Sequence, residues 1–163
     1  ILAAGSTPVG LESTVLDLSG EKPLILRPGS ITAGDIEKIL EEKVGFVGGD
    51  GKQPRSPGQL LRHYAPSIPV RMNAVDLEPG EALLSFGSIK FMGVKGGGAA
   101  RDLPDNMHKS LSESGDLTEA AANLFSMLHD LDQPQFRAIA VMNIPDQGLG
   151  IAINDRLRKA ARG

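Results

Sequence analysis

The chain has 163 residues, a formal net charge of −3, 40% hydrophobic and 23% charged residues, and no cysteine. That length buries a core in one or two domains, and the balance is that of a globular protein. The absence of cysteine excludes disulfides, thiolate metal sites and cysteine nucleophiles. No apolar run approaches the ~20 residues of a membrane helix, and nothing reads as a signal peptide, so a cytoplasmic location is expected. The chain opens on Ile1-Leu2-Ala3-Ala4, which reads as the end of a strand, and is expected to be the later part of a longer protein. Residues 13–18 (STVLDL) form a short β-branched run, most simply a strand. A polar turn at residues 19–22 leads to a second strand at 23–27 (PLILR), and the two read as a hairpin. Pro28-Gly29 fits a type II turn. Thr32 and Asp35 fit a capping box, followed by an amphipathic helix with Ile36, Ile39 and Leu40 on its apolar face. A short strand is expected at 44–47.

Residues 48–55 read as loop, leading into SPGQLLRHYAP at 56–66. Proline restricts its own φ and that of the residue before it, so Ser56-Pro57 and Ala65-Pro66 are extended corners of a semi-rigid connector. Residues 51–75 contain no Asp or Glu but include Lys52, Arg55, Arg62 and Arg71. A local excess of cations in an acidic chain suits an anionic ligand such as a nucleotide phosphate; a solvated linker has the same composition.

Beyond the connector, buried strands are expected at 69–72 and 82–86, a mobile glycine-rich loop at 91–100, and a short strand at 100–103. Asp116 and Glu119 fit a second capping box, and Leu117 through Leu131 trace a helical apolar face. Residues 137–144 (RAIAVMNI) are the clearest buried strand, and a last helix spans 149–161, with Arg156, Arg158 and Lys159 favouring its C-terminal dipole. Alternating strands and helices imply crossover connections and a small Rossmann-like α/β domain with a parallel or mixed sheet.

Few motifs here carry chemistry alone. GVKGGG at 93–98 lacks the spacing of a phosphate-binding loop and reads as a flexible loop. Gly148-Leu149-Gly150 fits an anion site at a helix start and fits plain turn geometry equally. His108 and His129 have no second ligand at metal spacing, so they read as satisfied or surface histidines, and no metal site is expected. Asn154-Asp155-Arg156 reads either as an interface or as a solvated helix face.

Three stretches in order are more specific: GLESTVLDL (10–18), ILRPGSIT (25–32) and SPGQLLRHYAP (56–66). Together they resemble the closing motifs of two-domain YrdC-type threonylcarbamoyl-AMP synthases, and the resemblance continues through SGDLTEAAANLF (114–125) and GLGIAINDRLRKAA (148–161). The resemblance implies a C-terminal remnant of the α/β catalytic domain at 1–50, an extended linker or lid at 51–68, and the Rossmann-like domain at 69–163. It implies condensation of L-threonine, bicarbonate and ATP, with Mg²⁺ accompanying the nucleotide, to threonylcarbamoyl-AMP and pyrophosphate for tRNA threonylcarbamoyladenosine synthesis. By position, Ser13 would help hold L-threonine, and Arg27 and Tyr64 would bind ATP, with His63 and Arg62 as further candidates. No residue of this chain is implied as catalytic, and no prosthetic group, membrane or direct nucleic-acid contact is expected; the tRNA modification machinery would act downstream. Gln59-Leu60 stands where the family often has Met-Lys. The family's KxR and SxN motifs would lie ahead of Ile1, so this polypeptide alone is expected to be inactive. The competing class is a non-catalytic α/β module that binds a nucleotide, RNA or a partner. RNA is disfavoured by the net charge of −3 and the 4% aromatic content.

Overall fold

The computed structural model describes residues 10–47, 65–89 and 93–162. Strands β1 (Val15–Asp17) and β2 (Leu24–Arg27) pair antiparallel as the expected hairpin, with Val15 opposite Arg27. Helix α1 (Ala33–Leu40) follows, and the short β3 (Gly45–Phe46) returns parallel to β2. The Thr32 hydroxyl accepts from the Asp35 N–H, and the Asp35 carboxylate accepts from the Thr32 N–H, so the capping box closes in both directions. Ile25, Ile36 and Val44 form the small core between helix and sheet. Ile39 departs from the expected apolar face and is 80% exposed. Over an eight-residue helix, the line of Ala33, Ile36 and Leu40 is enough to cover this narrow sheet, and position 39 points past its edge.

Residues 65–162 build around a four-stranded, all-parallel sheet in the order β4-β9-β6-β8. Its strands are β4 (Val70–Ala74), β6 (Glu81–Ser85), β8 (His108–Ser110) and β9 (Ala138–Met142), each adjacent pair joined by a crossover as parallel pairing demands. Helices α2 (Leu117–Leu131) and α3 (Leu149–Ala160) cover one face. The alternation along β6 and β9 is strict: Ala82, Leu84, Ile139 and Val141 point into the core beneath the helices. Leu83 and Ala140 point the other way, against Leu77, Ala100 and Leu103.

Two expectations fail here, each for a local reason, and two further strands go unanticipated. Residues 100–102 form a 3-10 turn, not a strand, closed by Leu103 N–H to the Ala100 carbonyl. It buries Ala100 and half-buries Leu103, a spacing of three in place of two. Within the glycine-rich segment, Gly93–Val94 (β7) pairs in parallel with a strand absent from the sequence reading, Asp76–Leu77 (β5). Gly96, Gly97 and Gly98 then run at φ near +100°, which only glycine tolerates in succession. Strand β8 also escaped the sequence reading, because His-Lys-Ser has neither an apolar period nor β-branched residues.

Candidate functional site

Ser13 lies just ahead of β1 and Arg27 ends β2, so hairpin register alone brings them together. Arg27 Nε and NH2 donate to the Ser13 carbonyl at 3.1 and 2.9 Å, and NH2 reaches Ser13 Oγ at 3.2 Å. Ser13 is exposed and Arg27 half-buried. The result is a hydroxyl beside a guanidinium at the surface, an arrangement that favours a carboxylate or phosphate oxygen.

The following turn differs from the expected type II geometry. A type II turn needs positive φ at Gly29, and Gly29 is not among the positive-φ glycines. Its glycine is required for another reason: a Cβ there would sit 2.3 Å from the Glu12 carbonyl and 2.5 Å from Thr14 N. The chain after Arg27 therefore lies directly on the backbone around Ser13, and Ser30 N–H donates to the Glu12 carbonyl at 3.3 Å.

Elements from the far end of the chain support this hairpin. Gly10 packs on α2, where an added Cβ would meet the Ala121 carbonyl at 2.6 Å, and Leu11 joins the core under α2 and α3. Arg156 of α3, 5% exposed at its side chain, donates to Glu12 Oε2 at 2.7 Å and to the Pro28 carbonyl at 3.1 Å. It also pairs with Asp155. Burial pushes the Glu12 carboxyl up, but its own backbone N–H, Arg156 and the Arg27 charge outweigh this and hold it below the ordinary carboxylate value of 4.5. Arg156 was expected near the helix end as a dipole-favouring cation; it is instead a buried bridge, so 154–156 is an interface and not a solvated face. A weak hint was present in the helical spacing, because an arginine among Ile153 and Leu157 stands on the apolar side of α3.

The basic zone loses one member on folding. Arg71 forks onto Glu81 (2.8 and 2.6 Å) and donates to the Asp76 carbonyl, so its charge is neutralised at home. Tyr64, His63 and Arg62, with Lys52 and Arg55, lie outside the described residues. Lys95 of the glycine-rich segment pairs with Glu78 and Asp76, which removes the cation a phosphate would need there. At the start of α3, Gly148 takes φ +52° and a Cβ on Gly150 would meet the Pro145 carbonyl at 1.9 Å; turn geometry accounts for both glycines. The capping box at α2 closes in one direction only: Asp116 accepts from Glu119 N–H, while the Glu119 carboxylate takes the Ser112 hydroxyl.

A second feature is an open depression of about 590 Å³ between β8 and α2, lined by His108, Ser110, Glu113, Glu119 and Asn123 among others. His108 Nε2 lies 2.8 Å from Ser85 Oγ, so the histidine is satisfied within the fold. Among the described residues, no group of three or more His, Asp or Glu side chains is disposed to hold a metal ion, and no helix is long and apolar enough to cross a membrane.

Residues 31–162 match the family model described as threonylcarbamoyl-AMP synthase, C-terminal domain. The chain is 33% identical over 170 residues to the threonylcarbamoyl-AMP synthase of Pyrococcus abyssi (strain GE5 / Orsay), covering 99% of this chain and 48% of that protein. Against that of Bacillus subtilis (strain 168) identity is 31% over 170 residues, covering 100% and 49%. The chain thus spans about half the length of the curated relatives it matches. A crystal structure of P. abyssi Sua5 complexed with L-threonine superposes with a TM-score of 0.71 at 29% identity, over 97% of this chain and 48% of that one. A P. abyssi Sua5 variant with an adjacent histidine and tyrosine replaced by alanine gives 0.67 at 27% identity, over 97% and 47%.

Proposed function

The chain belongs to the threonylcarbamoyl-AMP synthase C-terminal domain family, and from that premise we propose that it is the later part of an enzyme condensing L-threonine, bicarbonate and ATP to threonylcarbamoyl-AMP and pyrophosphate. The observation that carries the reading is the Ser13–Arg27 pair, surface-facing and held in register by the hairpin, in a chain similar to a protein crystallised with L-threonine. The Ser13 hydroxyl is suited to the amino acid and the Arg27 guanidinium to ATP phosphates, whose charge must be neutralised as pyrophosphate leaves. Residues 1–50 would be the end of the catalytic domain, 51–68 a lid and 69–163 the Rossmann-like domain. Tyr64, with His63 and Arg62, would close over the nucleotide and keep water from a hydrolysable adenylate. The relative altered at an adjacent histidine and tyrosine supports testing His63 and Tyr64 together.

Mg²⁺ would arrive with ATP as part of the substrate. The product would pass to the tRNA modification machinery in the cytoplasm.

The test is pyrophosphate release from ATP by the full-length protein carrying this sequence, with threonine and bicarbonate each omitted in turn. Release that needs both substrates, and falls at least about tenfold in Arg27→Ala, is expected. Release independent of threonine would refute the reading. The 163-residue polypeptide by itself is expected to release none.

A further inference from the structure

The candidate site residues share one tether to the rest of the molecule that their own hairpin does not supply. Glu12 immediately precedes Ser13, and Pro28 immediately follows Arg27. Both are bonded to the same guanidinium, that of Arg156, 144 and 128 residues away along the chain. Nε and NH2 each approach Glu12 Oε2 at 2.7 Å, NH2 also donates to the Pro28 carbonyl at 3.1 Å, and NH1 is taken up by Asp155. The planar fork is therefore engaged on every nitrogen, which a lysine ammonium on a flexible stem could not reproduce. Its helix cannot yield easily, since Ile153 and Leu157 on either side of it are fully buried.

The cluster it grips is tight. Gly29 lies against the backbone of Glu12, Ser13 and Thr14, with no room for even a Cβ between the two segments, so Glu12, Ser13, Arg27 and Pro28 are packed as one cluster. A shift of α3 would carry the Glu12 carboxylate and the Pro28 carbonyl with it, and the Ser13–Arg27 pair between them.

We propose that Arg156 is a positioning residue for the Ser13–Arg27 pair, through which the last helix of the parallel-sheet region sets the geometry of the substrate site. This gives that region a task in the reaction without any substrate contact of its own. It rests on the reading of Ser13 and Arg27 given above. A binding constellation has to be held within about 0.5 Å of its productive geometry, so loss of the clamp is expected to weaken L-threonine binding by about tenfold or more.

The test uses the full-length protein and three variants, Arg156→Met, Arg156→Lys and Arg158→Met. Arg158 is on the same helix but pairs with Asp146 at the surface, and serves as the control for loss of a cation from α3. L-threonine affinity by calorimetry and thermal midpoint are measured together with hydrogen exchange at two amides of the cluster, Ser30, which donates to the Glu12 carbonyl, and Ile31, which donates to Thr14 Oγ1 at 3.1 Å. The expected result is weaker threonine binding in Arg156→Met, partial recovery in Arg156→Lys, an unchanged Arg158→Met, and faster Ser30 and Ile31 exchange only in the Arg156 variants. A folded Arg156→Met protein that binds L-threonine as the parent does would overturn the proposal, whatever its thermal midpoint. If the parent binds no L-threonine, the functional reading fails, and exchange decides the clamp alone: faster Ser30 and Ile31 exchange in Arg156→Met upholds it, and unchanged exchange sinks it.

Discussion

Residues 10–47 and residues 65–162 are both α/β, but they hold themselves together differently. The second region, joined by Leu11, has an eighteen-residue buried cluster under α2 and α3 and a further cluster on the other sheet face. The first has Ile25, Ile36 and Val44, while Leu18, Ile31, Ile39 and Phe46 remain exposed. Hydrophobic burial scales with apolar area removed from water, so the first region draws little from its own core. What holds it is docking: Gly10 and Leu11 on α2 and α3, and the Arg156 bridge to Glu12 and Pro28. The lesson is a division of labour, in which the well-packed region carries no candidate substrate contact among its described residues and the thinly packed one presents Ser13 and Arg27.

Substitutions can break this comparison, beginning with the largest expected effects. Leu124→Ala empties a fully buried position in the large cluster and should cost about 2–5 kcal/mol in denaturant unfolding. Ile36→Ala, the matching deletion in the small cluster, should cost about 2 kcal/mol, the low end of that range. Equal costs would mean the two cores contribute alike. Arg71→Met takes the guanidinium from the Glu81 carboxylate, which keeps the Glu78 N–H, and should cost about 2 kcal/mol.

Gly29→Ala forces a Cβ against the Glu12 backbone and should cost about 1–3 kcal/mol. Because the strain falls at Ser13, threonine affinity should drop with it, whereas Leu124→Ala should spare affinity while the protein stays folded. Thr32→Ala removes the α1 cap and should cost about 1 kcal/mol by the same unfolding measurement.

The smallest expected effect is a pH dependence. Burial pushes the His108 imidazole below its ordinary 6.5, against the pull of Glu113 and Asp105 and with the help of Lys109. The unfolded chain therefore takes up the proton first as pH falls. Stability from this group should be level above pH 6.5, decline below it, and level again once the folded state protonates. His108→Gln should flatten that window, and a decline that survives the substitution would assign it to other groups.

Much of this was legible in the sequence, and the gaps have physical causes. The hairpin, both capping residues, α2 and β9 announce themselves through local period and local hydrogen bonding. Strands β5, β7 and β8 do not, because a run of only two or three residues shows no period and becomes a strand only when a neighbouring strand is there to pair with it. The contact between Ser13 and Arg27 was not read from the sequence; it appears only with the observed hairpin register, in which Val15 lies opposite Arg27. Arg156 was misjudged because a cation near a helix end has a sufficient local explanation, and its bonds to Glu12 and Pro28 cross almost the whole chain. Arg71 was misjudged in the same way, since Glu81 lies outside the acid-free stretch that defined the basic zone.

The most direct test of the central claim is an L-threonine titration of the full-length protein by calorimetry, for the parent, Ser13→Ala and Arg27→Ala. The account predicts saturable binding in the parent and a loss of about tenfold or more in Ser13→Ala, with Arg27→Ala also weakened because its guanidinium holds the Ser13 carbonyl. Parent-like affinity in both folded variants would contradict it and place the substrate elsewhere in the molecule.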